Sequence, residues 1–373
     1  MSGVSVDDIL SFTNIFSDMV MIIVFLDILA LFLMLFLERC DPRVFVTWLI
    51  LLIFLPPVGF ILYLYLGATI YNRRKFTPKN ITDTQLMEAS EWQMGVLEKD
   101  AEAHPERDDV YAFARSMKNA GAWSYSNNND ITLYTEGDPL FRDMMADIRS
   151  AKKSVLIEYY IIRNDKDGNE LLSLLTQKVR EGVEVRLLTD AFGIGKGPKN
   201  GIFKFRNAGG HYAMFHSSIN LMFSPKKNNR NHRKIAVIDG RIGYIGGFNI
   251  GVEYLGQGPM GNWRDSAVRI EGSAVIPLEV RFALDWRYAS REDIVADTSY
   301  YPCDSCGGPG SIPVQIVNGG PDMQGRNGIA FQYLMMIEGA KESILLEGQC
   351  CIRGHPPAGA PPLLPPPSRP GCP

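Results

Sequence analysis

The residues best suited to chemistry are gathered between His232 and Asn249, in the order His232-x-Lys234, four residues, Asp239, six residues, Gly246-Gly247-x-Asn249. Lys234–Asp239 and Ile242–Gly246 are β-rich runs joined by Gly240-Arg241, the composition of a hairpin. Side chains two apart on a strand share a face, so His232 and Lys234 can address one phosphate together. A neutral imidazole is nucleophilic near neutral pH, and an ammonium stabilises charge gathering on the non-bridging oxygens. Gly246 and Gly247 would let the backbone approach that phosphate, and Asn249 adds an amide donor. Asp239, the third polar member of the catalytic motif, falls on the opposite face and is read as orienting the hairpin or holding a charge partner. A plain hairpin with solvated side chains would account for His-x-Lys alone, but not for the whole spacing.

The nine residues from Lys226 to Lys234 carry five cations and no acid. Lys226, Lys227 and Arg230 are therefore expected to draw an anionic headgroup toward the site. Gly193-Ile-Gly-Lys-Gly197 lacks the spacing and the Ser or Thr of a phosphate-binding loop. Cys303 and Cys306 have no second pair or nearby His to complete four zinc ligands, so no metal and no cofactor are expected. Six scattered cysteines in 373 residues exclude a disulfide scaffold. With 38 Lys and Arg against 41 Asp and Glu, the net charge of -3 offers no general attraction for nucleic acid.

The elements that must position these groups read as α/β. Ile131–Tyr134 is a predicted strand, Pro139–Ser150 a helix capped by Asp138, Val155–Ile162 a strand, Glu170–Glu181 a helix and Val183–Leu188 a strand. Residues 76–130 read as a polar connector with helical patterns over Asp83–Leu97 and Arg107–Ala120, and Ser124–Asp130 has loop composition. Ala151-Lys-Lys-Ser-Val-Leu-Ile-Glu158 recurs as Ala340-Lys-Glu-Ser-Ile-Leu-Leu-Glu347, each copy following a Gly-containing turn and a helical pattern. This predicts two similar α/β halves: 131–300 as the first, and 311–347 as the start of a second.

Ahead of them, Met19–Leu37 carries Asp27 as its single charge and Val44–Tyr71 carries none. Both are long enough to cross a hydrocarbon layer about 30 Å thick. Residues 1–75 are thus expected to form a two-helix transmembrane hairpin, with spans at about 19–37 and 44–71. Arg73, Arg74, Lys75 and Lys79 outweigh the two Arg of the connector, which puts both outer ends, and with them the catalytic part, in the cytoplasm.

The His232 to Asn249 spacing resembles the signature of the phospholipase D superfamily, with Gly247 where many members have Ser. Trp48-Leu to Leu55-Pro56, Gly59-Phe-Ile-Leu-Tyr63, Asn249-Ile-Gly-Val-Glu-Tyr254 and Trp263-Arg-Asp-Ser-Ala-Val-Arg-Ile-Glu-Gly272 resemble bacterial cardiolipin synthases in particular. That resemblance implies a phospholipase D-like α/β sandwich half after the hairpin. It also implies a multi-pass protein of the bacterial plasma membrane, with phosphatidylglycerol as the anionic phospholipid substrate. The implied reaction passes a phosphatidyl group from one phosphatidylglycerol to the hydroxyl of another through a phosphohistidine, releasing glycerol without a metal. His232 would be nucleophile or general acid, with Lys234 and Asn249 on the phosphate.

Such a site uses two histidines, and of the five in this chain only His232 lies in His-x-Lys. By the 81-residue interval from Ala151 to His232, the repeat would place its own histidine near position 421. Residues 348–373 instead hold nine of the 23 prolines and are read as an aberrant tail following a truncated second half. Activity would then need a homodimer sharing two His232 or a complementary C-terminal half. A single-motif phosphodiesterase and an inactive membrane remnant are the competing expectations.

Overall fold

The computed structural model describes residues 91–119, 123–215, 230–258, 261, 263–295, 308–319 and 328–345, together with parts of 17–63. The earliest continuous element is helix α1 (Pro42–Phe54). Helices α2 (Glu91–Ala103) and α3 (Asp108–Asn119) follow. Among the described residues no helix is long and apolar enough to cross a membrane. Nearly half of the residues in the expected spans lie outside those described, as do the tail, Lys226, Lys227, Cys303 and Cys306.

Strand β1 (Trp123–Glu136) leads into α4 (Gly137–Ser150), β2 (Ser154–Tyr159), α5 (Lys166–Arg180) and β3 (Glu184–Asp190). Then come α6 (Lys199–Asn207), β4 (His211–Phe215), β5 (Lys234–Ile238), β6 (Ile242–Gly246) and β7 (Arg264–Glu271). Helix α7 (Val275–Ser290), β8 (Ile312–Ile316) and α8 (Gly328–Gly339) complete the described chain. The eight strands form one sheet in the order β4-β3-β2-β5-β6-β7-β1-β8. β2, β3 and β4 run parallel, as crossover helices require, and the remaining neighbours are antiparallel.

Strand alternation divides the core into two layers. On one face Val155, Ile157, Ala236 and Ile238 meet Met144, Met145 and Ile148 of α4, Leu171 and Leu175 of α5, and Phe205 of α6. On the other, Leu156, Leu188, Ile235 and Val237 meet Val275, Leu278, Phe282 and Trp286 of α7. Each such fully buried side chain contributes about 1.5–3 kcal/mol. β8, within the segment expected to open a second half, joins the same sheet beside β1.

Two local readings are corrected. Ser124–Asp130 is strand rather than loop, because distant groups satisfy its polar side chains. Tyr125 donates to Asp100, Asn127 donates to Asp100 at 2.9 Å, and Asn129 donates to the Ile312 carbonyl at 3.0 Å while accepting from the Ala274 N–H at 2.9 Å. The cap position of α4 is Glu136, with Asp138 in the first turn.

Candidate active site

The β5–β6 hairpin sets the geometry. Its turn holds Asp239 and Gly240 at φ 53° and 65°, the left-handed pair that a tight hairpin needs. At the other end, the Lys234 ammonium lies 3.0 Å from His232 Nδ1 and donates to the His232 carbonyl at 2.6 Å. The structure thus brings His232 and Lys234 together. The Tyr160 ring, just past β2, packs on the imidazole with centroids 4.6 Å apart, and the ammonium stands 5.6 Å over the same ring.

Burial pushes the buried Lys234 down to about 8, with Asp265 opposing. His232 is held below the ordinary imidazole value, first by partial burial and then by Lys234, against the pull of Asp190 and Asp265. Asp265, the second residue of β7, sits over Gly247: a Cβ on Gly247 would fall 2.0 Å from its Oδ1. This accounts for Gly at 247, since a larger residue would displace the carboxylate that faces the two bases. Gly246 is needed for sheet packing, where its Cβ would lie 2.4 Å from that of Ala267.

The approach to His232 is fixed by buried acids. Asp190, at the end of β3, accepts from the backbone N–H of Asn231 at 3.1 Å and lies 3.7 Å from Arg230. Asn231 donates its side-chain amide to Glu158 of β2 and accepts from the Arg233 N–H at 3.2 Å. Burial and the nearby Asp285 carboxylate push Glu158 well above the ordinary carboxylate range, with Arg233 opposing. Arg233 pairs with Asp285 at 3.0 Å.

Asn249 is buried, and its Oδ1 accepts from the Ile161 N–H at 3.2 Å, tying the segment after β2 to the hairpin. Asp239 is not part of this cluster. It stands at the far end of β5, about 16 Å along the strand from Lys234 at the usual rise. There its carboxylate accepts from the backbone N–H groups of Lys152, Lys153 and Ser154. Asp265, Tyr160, Asn231, Glu158 and Asp190 belong to the site's surroundings and were not singled out by spacing. A charged residue inside the buried run Ser154–Tyr159 is the one local sign that could have found Glu158. Among the described residues no group of His, Cys, Asp and Glu could hold a metal ion.

An imidazole and a buried ammonium thus meet on one strand edge, with the Asp265 carboxylate facing both. A family model described as a cardiolipin synthase, PLD-like domain matches residues 144–277. A cardiolipin synthase 2 from Staphylococcus epidermidis is 38% identical over 340 residues, covering 90% of this chain and 69% of the relative. A cardiolipin synthase from Staphylococcus aureus is 39% identical over 330 residues, covering 86% of this chain and 65% of the relative. The phospholipase D family member Nuc from Salmonella typhimurium aligns at TM-score 0.34 and 15% identity, covering 43% of this chain and 96% of that one. The chain belongs to the bacterial cardiolipin synthases of the phospholipase D superfamily, and its function is that of a phosphatidyltransferase in phospholipid biosynthesis.

Proposed function

We propose that the chain transfers a phosphatidyl group between two phosphatidylglycerol molecules through a phosphohistidine on His232. The contact between the Lys234 ammonium and His232 Nδ1 carries this reading. The ammonium contacts that nitrogen and donates to the His232 carbonyl. Phosphate oxygens would draw it away, letting the ring hold its proton on Nδ1 and present the Nε2 lone pair to phosphorus. The new N–P bond forms as the bond to the headgroup glycerol breaks, and glycerol leaves with a proton. The hydroxyl of a second phosphatidylglycerol then attacks phosphorus, breaking the N–P bond and giving up its proton. The acid–base partner would be the second His232 of a homodimer or a histidine of a complementary C-terminal half.

Asn249 holds the backbone around the phosphate, and Arg230, with Lys226 and Lys227, draws the headgroup in. The proposed divisions are a membrane hairpin over 1–75, a connector over 76–130, a catalytic half over 131–300, the opening of a second half over 311–347, and a Pro-rich tail over 348–373. Exposed apolar helical residues such as Met21, Phe25, Ile50 and Phe54 support a multi-pass anchor in the bacterial plasma membrane, with the catalytic part cytoplasmic.

Full chain in vesicles of phosphatidylglycerol labelled in the headgroup is expected to release labelled glycerol and form cardiolipin. Phosphatidic acid as the product would mean hydrolysis instead, and cleavage of a nucleotide phosphodiester without lipid turnover would overturn the proposal. The rate should rise with pH through the lowered His232 value as the ring becomes neutral, then fall above about pH 8 as Lys234 loses its proton. Lys234→Arg should move the alkaline limb beyond about pH 10, because guanidinium stays charged there. An alkaline limb unmoved by that change would assign it to another group.

A further inference from the structure

Between Asp190 and Asp239 the sequence has no acidic residue and nine Lys and Arg. Four of these, Lys196, Lys199, Lys204 and Arg206, lie in or just before α6, exposed and outside every ion pair among the described residues. One side of α6 is spent on the core, where Ile202 and Phe205 are buried and Gly201 lies against Leu172. The other side presents Phe203, 65% exposed, with Lys199 four residues before it and Arg206 three after it on the same helical face. Phe192, 62% exposed, stands at the start of the same segment. Large aromatic rings left in water among unpaired cations are the composition of an interfacial surface, in which rings enter the headgroup boundary and cations meet lipid phosphates.

The Phe192 end of this segment meets the site. The Arg230 guanidinium lies 5.2 Å over the Phe192 ring. The backbone at Gly193 is pressed on the Tyr160 carbonyl, so closely that a Cβ there would be 1.9 Å from it. Tyr160 in turn packs on His232. Helix α6 begins at Lys199, six residues after Gly193, so the loop that touches the site leads directly into it.

We propose that α6 and the Phe192 loop seat the catalytic domain on an anionic bilayer, bringing His232 to headgroup level. The proposal rests on the phosphatidyltransferase reading for what the seat delivers. A bilayer fits better than nucleic acid, since Phe203 gains from leaving water and the chain as a whole is acidic, with a net charge of -3.

The test uses full chain reconstituted in vesicles of mixed phosphatidylglycerol and phosphatidylcholine, or of phosphatidylcholine alone. The emission that Phe203→Trp adds over the parent is expected to be quenched by acyl-brominated lipids in the phosphatidylglycerol vesicles and far less in the others. The double variant Lys199→Ser/Arg206→Ser should lose about tenfold in turnover of bilayer phosphatidylglycerol, since each cation near an anionic surface contributes severalfold. Its turnover of short-chain phosphatidylglycerol dispersed as monomers should be unchanged. Absence of quenching, an equal fall on the monomeric substrate, or protection of the tryptophan by single-stranded DNA in place of phosphatidylglycerol would overturn the seat. Quenching without any phosphatidyl transfer would support the seat and count against the transferase reading.

Discussion

Replacing His232 by Ala is expected to lower phosphatidyl transfer by at least about a thousandfold, the scale of losing a covalent nucleophile or its proton donor. The fold should hardly register the change. His232 lies at the surface, with one ring face on Tyr160 and the rest largely in solvent, and Lys234 keeps the backbone carbonyl at 2.6 Å as a partner. A melting temperature within about 2 °C of the parent is therefore expected. The nature of the leaving group separates the two chemical roles. A phosphodiester with a p-nitrophenol leaving group needs no proton, so the variant regains most of its rate on that substrate if His232 acts as general acid and stays inactive if His232 attacks phosphorus. Acid-labile label from the phosphatidyl phosphate should appear on the parent protein and not on the variant. Residual transfer within about tenfold of the parent would remove His232 from the chemistry altogether.

The parts of this site that were legible in the sequence are those governed by short-range geometry. A strand repeats every two residues, so His232 and Lys234 had to share a face wherever β5 lay. Gly240-Arg241 likewise marked the turn whatever packed on it, although the left-handed pair is Asp239 and Gly240. The residues that tune the pair come from elsewhere: Tyr160 from the end of β2, Asp190 from β3 and Asp265 from β7, and only the sheet order brings them to one edge. No spacing rule joins position 232 to position 265. Gly247 shows the same limit. Its spacing suggested a backbone open to a phosphate, and only the fold shows that the Asp265 carboxylate fills the space its missing side chain leaves. The Asn-rich start of β1 failed for the opposite reason, because its local preference for a loop is real and is overridden by Asp100, Ile312 and Ala274.

Asp239→Ala is expected to destabilise the domain by about 2–4 kcal/mol while leaving transfer per folded molecule within about threefold of the parent. Oδ1 of Asp239 accepts from Lys153 at 2.7 Å and from Ser154 at 2.9 Å, and Oδ2 accepts from Lys152 at 2.8 Å. Those three N–H groups lie on the bend between α4 and β2, which a single carboxylate therefore closes onto the hairpin turn. Ala leaves them without that acceptor and also meets strain, since φ is 53° at this position. Three variants separate the terms. Gly removes the strain and the acceptor together, so it should be more stable than Ala by about 1 kcal/mol. Asn tolerates the left-handed backbone and keeps one acceptor oxygen without the charge, so it should fall between Gly and the parent. Urea unfolding gives the order directly. Should Asp239→Asn instead keep its stability and lose transfer by orders of magnitude, Asp239 would belong to the reacting set with His232 and Lys234, and its place at the far end of β5 would have to be reconciled with a site reaching across the whole strand.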